Sequence, residues 1–361
     1  MITYCTNIHP GESWEEIFSN IKSHVLAVRN AVSPDKPFPV GLRLSNRSAH
    51  EIDNDASIRF QGWLEENGCY IPTINGFPYE SFHGPGIKET VYLPDWRSPE
   101  RAFYTKRLAD LLDLWLPEGV TGSISTAPVG FGTRISREDY PAVRRNLLDV
   151  LEHLDGIRQK SGHDIVLSPE PEPGCVLETT GDVVSFFELM NFPEGLRTGI
   201  GICIDLCHQA VEFEMPSAAL KMLSQADIRI GKVQVSSGLR FAHSEIKSLK
   251  DFDEPCYLHQ VVIRSGDGVI TRHNDIPEAV GLHPVRDDEE WRVHFHVPVY
   301  ADWTVSCGTT NFFIEESLPL FSRDILLEIE TYTWQVLPAA LRAGTVTQSI
   351  IREIEWVKAR I

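Results

Sequence analysis

The sequence contains no run of about 18 consecutive apolar residues, the length a membrane-crossing helix needs. Its first residues, MITYCTNIHPGES, lack the basic-then-apolar layout of a secretory leader, so the expectation is a cytoplasmic protein that does not span a membrane. Positive charge is scarce: 33 Lys and Arg stand against 51 Asp and Glu, for a net charge of −18. Such a surface repels phosphodiester backbones and anionic lipid, so nucleic acid is not an expected partner, although a small basic pocket for an anionic metabolite is compatible with it. Cysteines are few, odd in number and scattered. The seven read as reduced packing thiols: Cys203 and Cys207 are too far apart for a CxxC motif, and no second pair completes a zinc knuckle. No sequence repeats at a fixed period, which excludes a solenoid.

What is present is an alternation of short apolar runs with helical patterns. The runs lie at 2–8, 39–45, 69–77, 120–128, 164–172, 198–206, 228–236 and 324–332. Most are followed by a capped amphipathic segment. Ser13 with Glu16 makes a capping box, Ser98-Pro99-Glu100 opens a helix running to about 115, and Thr345 with Gln348 opens the last helix. Eight strand–helix units in 361 residues predict a closed parallel barrel, the (β/α)8 TIM barrel, as a single domain over 1–361. Residues 241–300 break the rhythm with VVIRSGDGVITRH, a hairpin around Gly266-Asp267-Gly268, and then EWRVHFHVPVY. They are expected as an insertion between the seventh and eighth barrel strands.

In such a barrel, chemistry gathers at the C-terminal ends of the strands. There the fifth run ends in Glu170 and Glu172, the sixth in Asp205 with His208, the seventh carries Gln234, and the eighth ends in Glu328 and Glu330. Carboxylates converging on one axis repel each other and lose hydration, unless their pKa values rise or a divalent cation sits among them. Carboxylate, amide oxygen and imidazole together suit Mn²⁺, Mg²⁺ or Zn²⁺. One acidic residue at a strand end is more often a helix cap, but four successive strands ending in such residues favour Glu170, Glu172, Asp205, Gln234 and Glu330 as metal ligands. Three interleaved prolines, at 169, 171 and 173, prevent alternation from choosing between Glu170 and Glu172. His294 and His296, two apart on an extended segment, face one way; with His208 they suit a second metal site or a substrate-gripping group, against the alternative of half-buried residues on an inserted strand. His9 and His83 follow the first and third runs and are candidates for the mouth. The loop NGFPYESFHG, with Asn75, Phe77 and Tyr79, reads either as a pocket wall or as a packed lid.

These residues resemble the xylose isomerase-like TIM barrels, a superfamily of sugar isomerases, ketose 3-epimerases and endonuclease IV. The resemblance implies a metal bound by Glu170 or Glu172, Asp205 with His208, Gln234 and Glu330. Its members usually place His where Gln234 stands, a departure that weakens the expected metal affinity. In the epimerases an Arg six residues after the strand-seven ligand grips substrate, which points to Arg240. More narrowly, NGFPYESFHG, VYLPDWRSPERAFYTKRLADLL, EPEPGCVLETT, DLCHQAVEFE, IGKVQVSSGLR, WRVHFHVPVY and EIETYTWQVLP are similar to the EboE proteins, described as metabolite-traffic proteins of secondary metabolism. That resemblance covers nearly the whole chain and implies a functional link to a membrane transport system.

The resulting expectation is a divalent-metal-dependent isomerase- or epimerase-like protein acting on a small sugar-like or hydroxy-carbonyl metabolite. Glu330 or Glu172 moves a proton, and His208 and Arg240, with His294 and His296, hold substrate. A non-catalytic metabolite carrier is the alternative. An endonuclease IV-like phosphodiesterase fits the histidine pair but not the acidic surface.

Overall fold

The computed structural model describes residues 1–84, 86–304 and 306–361. Its central element is a ring of parallel strands: β1 (Ile2–Tyr4), β2 (Phe38–Arg43), β3 (Cys69–Asn75), β4 (Gly122–Thr126), β5 (Ile165–Pro169), β6 (Gly201–Asp205) and β7 (Arg229–Val235), completed by a strand near the C-terminus, Leu327–Ile329. Two four-stranded arcs make up this ring. Parallel bridges Cys5–Gly41 and Leu167–Ile200 join the arcs at their seams and close it. This is a closed (β/α)8 TIM barrel, as the strand–helix alternation leads one to expect. Continuous burial of the strands follows from helices covering the outside of a parallel sheet.

Local chemistry sets the helix starts. Ser13 and Glu16 cap Trp14–Asn20 reciprocally, Thr179 and Asp182 cap Thr180–Met190, and Thr345 and Gln348 cap Val346–Lys358. Inside the barrel, below the strand ends, Lys232 bonds Glu328 with both side chains fully buried. A glycine opposite makes room for this pair. A Cβ on Gly41 would lie 1.9 Å from Glu328 Oε1, so any larger residue there displaces the carboxylate.

Between β7 and the last barrel strand the chain leaves the ring. It builds a five-stranded antiparallel sheet from β8 (Ser237–Ala242), β9 (Val261–Arg264), β10 (Ile270–His273), β11 (Glu290–Val297) and β12 (Gly308–Thr309), in the order β10-β9-β11-β8-β12. The final barrel strand, Leu327–Ile329, is β13. The sheet thus begins at Ser237 and ends at Thr309, wider than the 241–300 expected. Only Ser236 separates β7 from β8, so the chain passes from ring to inserted sheet with no loop to mark the change. The turn between β9 and β10 is closed by Ser265 N–H donating to Val269 O at 3.0 Å. Gly268 there has φ +88°, a region only glycine enters freely. The sheet and barrel share core: Leu239, Phe241, Trp291, Val293, Phe295 and Val297 pack in one cluster with Val233 and Val235.

Candidate metal centre

At the C-terminal end of the barrel three imidazoles meet. His208 comes from the helix Leu206–Val211 that begins where β6 stops. His294 and His296 come from the end of β11, past the register shift after Val293 where that strand leaves its ladder. All three are buried. His294 Nε2 lies 3.0 Å from His208 Nε2 and 3.2 Å from His296 Nε2.

The opposite ring nitrogens fix the tautomers. His208 Nδ1 donates to Pro171 O at 2.8 Å, His294 Nδ1 to Gln260 Oε1 at 2.7 Å, and His296 Nδ1 to Glu330 O at 2.7 Å. Carbonyl oxygens only accept, so each Nδ1 carries the proton and each Nε2 presents a lone pair. The Gln260 amide is itself oriented, because its Nε2 donates to Pro173 O at 2.9 Å and to Tyr92 Oη at 3.0 Å. Burial, reinforced by the neighbouring imidazoles, pushes His294 well below the usual histidine range; burial also takes His296 down to about 4. Three neutral rings with lone pairs converging repel one another unless a cation lies between them. Imidazole nitrogens braced by carbonyl acceptors are what a metal-binding histidine set looks like.

Asp205 completes the group. Its Oδ1 accepts from His208 N–H at 2.9 Å, capping the helix, and from Ser236 Oγ at 2.7 Å. Its Oδ2 has no hydrogen-bond partner in the protein and lies 4.0 Å from His296 Nε2. The cap and the ligand candidate are therefore two oxygens of one side chain. A second set of potential ligand atoms, from Glu170, Asp205 and His208, lies within 4.8 Å of one another. Glu170 Oε2 and Glu172 Oε2 are also buried without partners. Leaving such oxygens unpaired costs about 1–3 kcal/mol each, and more when they are charged. Burial, then the charges of Glu330 and Asp205, raises Glu170 well above the ordinary carboxyl range; burial raises Glu172 as well. A bound divalent cation offsets these penalties, so the donor set fits one.

The expected ligands are only partly the ones that converge. Glu170, rather than Glu172, shares a set with Asp205 and His208, because β5 ends at Pro169 and both glutamates sit in the irregular segment beyond it. Glu172 Oε1 is held by the Tyr92 hydroxyl at 2.7 Å. Gln234 does not offer its oxygen: its Nε2 donates to Glu330 Oε1 at 2.9 Å, and its carbonyl faces Cys203 Sγ at 3.4 Å. Glu330 is pinned as well, since its Oε1 also accepts from Asn7 at 2.8 Å and Asn75 at 3.2 Å. Burial nevertheless dominates and raises it well above the carboxyl range.

Arg240 lies away from the site altogether. It stands on β8, half-exposed, bonded to Glu290 at 3.2 Å, because the chain has entered the inserted sheet at Ser237 before the sixth residue is reached. His9 is buried against Tyr4 and stacked on His24, not at the mouth. His83 buttresses Asn7 and Tyr257. Tyr79 packs edge-on against Tyr104. Sequence reasoning missed Asn7, Tyr92, Gln260 and Tyr332. The Tyr332 hydroxyl reaches His294 Nε2 at 3.3 Å. Its position just after the Glu328–Glu330 pair was the one available signal.

A cavity opens above this floor, lined in part by Glu170, Glu172, His208, His294 and Glu330. Among the described residues no helix is long and apolar enough to cross a membrane.

No family model matches the chain, and no curated protein matches it. Its likenesses are to solved structures. A xylose isomerase domain protein from Planctomyces limnophilus is 16% identical over 92% of this chain and 90% of its own, with a TM-score of 0.53. An L-ribulose 3-epimerase is 12% identical over 99% and 93%, with a TM-score of 0.55. The IOLI protein, solved with a bound zinc atom, is 12% identical over 99% and 96%, with a TM-score of 0.53. At these identities the likeness is one of fold.

Proposed function

We propose that this barrel is a divalent-metal-dependent enzyme that moves a proton on the carbon beside a carbonyl in a small hydroxy-carbonyl or sugar-like metabolite. The observation that carries this reading is the convergence of three Nε2 lone pairs with the unpartnered Asp205 Oδ2. His208, His294, His296 and Asp205 would hold the ion, a nitrogen-rich set that suits zinc better than magnesium. When bound, the ion supplies polarisation of a carbonyl oxygen and stabilisation of developing negative charge.

The chain's own groups do the rest. Glu170 Oε2 and Glu172 Oε2 are buried carboxyl oxygens with no partner, and both residues line the cavity. One takes the proton and the other returns it, as raised carboxyl pKa values favour. Tyr92 and Gln260 hold Glu172 in place. Asn7, Asn75 and Gln234 fix Glu330, whose backbone oxygen in turn sets the tautomer of His296. The similarity to EboE proteins supports a role in supplying a precursor to secondary metabolism beside a membrane transport system, in the cytoplasm. Epimerases among the likenesses support the same reaction class.

The test is exchange in D2O. Metal-loaded protein is incubated with hydroxyacetone, D-fructose and 2-hydroxyacetophenone, and deuterium at the exchangeable C–H is read by mass spectrometry. Incorporation above the buffer rate, lost in Asp205→Ala and in Glu170→Gln, is expected. Stoichiometric metal with every compound recovered unlabelled would overturn the enzyme reading in favour of a carrier.

A further inference from the structure

The floor and the walls of the cavity differ in chemistry. Polar groups line the floor, but the walls are Phe77, Pro78, Phe82, Ile87, Val91 and Leu258. Three tyrosines also face it. Tyr92 donates to Glu172 and Tyr257 bonds His83 Nδ1 at 2.8 Å, so what these two offer a ligand is ring surface. The Tyr332 hydroxyl, 3.3 Å from His294 Nε2, is released when that nitrogen holds the ion and is the one tyrosine hydroxyl left to meet a ligand's polar head. Phe82, Tyr257 and Tyr332 form one apolar cluster beside the cavity, with ring centroids 5.0–5.5 Å apart. Phe77, Tyr92 and Leu258 belong to another, on which Val91 packs.

A polyhydroxylated body would need hydrogen-bond partners along these walls, and its hydroxyls would be desolvated there without them. A phosphate would need a cation. Among the described lining residues the lysine Lys88 is the sole permanent one, and it is bonded to Asp275. The carboxyl groups of the floor oppose a phosphate as well.

We infer that the substrate is amphiphilic: a hydroxy-carbonyl head that meets the polar floor, joined to an aromatic or aliphatic body that fills the apolar walls. The inference rests on the metal-centre reading above and narrows its substrate class away from free sugars and sugar phosphates. Burying one aromatic ring there is favourable by roughly 25 cal/mol per Å² of apolar surface, while a polyol of similar size gains little.

The experiment uses three metal-chelating probes that share one head. Stripped protein is reloaded with zinc, its metal content is measured, and acetohydroxamate, erythronohydroxamate and benzohydroxamate are titrated by calorimetry. Benzohydroxamate is expected to bind at least about tenfold tighter than erythronohydroxamate. Phe82→Ala and Leu258→Ala, each still carrying zinc, should cut that ratio at least about threefold. Zinc-dependent binding in which the polyol probe matches or exceeds the aromatic one overturns the amphiphile and leaves the metal centre standing. Absence of zinc binding, or of any zinc-dependent hydroxamate binding, overturns the metal-centre reading itself. The comparison within the wild-type protein decides the matter even where a wall variant fails to fold.

Discussion

Removing one imidazole from the cluster should uncouple the protein's stability from metal. In wild type the Nε2 atoms of His208, His294 and His296 are held 3.0 and 3.2 Å apart by carbonyl acceptors behind them. The unfolded chain has no such array, so an ion bound here stabilises the folded state by mass action. At a free concentration one hundred times its dissociation constant the gain is about 2.7 kcal/mol. For a chain of 361 residues that corresponds to a rise of about 3–4 °C in the unfolding midpoint. The assay is thermal unfolding of chelator-stripped protein with and without zinc, manganese, cobalt or magnesium. His294→Ala removes the central nitrogen, so its metal-induced rise should fall below about 1 °C at the same metal concentration. The substitution also leaves Gln260 Oε1 unpaired and opens a void, which lowers the midpoint in both conditions. Reading the loaded-minus-stripped difference within each protein cancels that damage. No metal-induced rise in wild type, or an undiminished rise in the variant, refutes the reasoning.

Metal uptake should persist on acidification further than an ordinary histidine site allows. Burial takes the His296 imidazole to about 4 and holds His294 well below the usual histidine range, so protons compete with the ion at these two rings only well below the pH of an ordinary histidine site, which metal analysis after dialysis across pH 4–8 will show. Arg240→Ala should leave zinc content and benzohydroxamate affinity within about twofold of wild type, since its partner Glu290 lies on the inserted sheet; calorimetry checks this. Glu353 is fully buried under Thr331 and Val299, and burial raises it to about 7. Its folded pKa exceeds its unfolded one, so stability is full below about pH 4.5 and falls until pH 7. Its share of the loss is about 3 kcal/mol, and Glu353→Gln should remove that share of the slope in denaturant titrations run at several pH values, leaving the share of the other buried carboxyls.

Much of this architecture could be read from the residues. The barrel was legible because most parallel strands are buried on both faces and several of the helices announce their start with a cap, as at Ser13 and Thr345. Asp205 and His208 were legible because a carboxylate closing an apolar run is conspicuous. The pairing of Gln234 with Glu330 was not, because an amide can present either end and only its neighbours choose between them. Arg240 misled because spacing along the chain carries no information about a change of sheet made over the single residue Ser236. Tyr92 and Gln260 come from loops whose course is set by packing, not by periodicity.

β13 pairs directly with β7, so the ring closes without any contribution from the sheet between them. Two of the three imidazoles nevertheless belong to that sheet. A completed barrel is thus only half a centre, and docking of β11 is what makes the second half. An ion held there works as a clasp between two separately hydrogen-bonded layers. Its capture then depends on the inserted layer being seated on the ring, so occupancy ties the packing of the two layers to the chemistry between them.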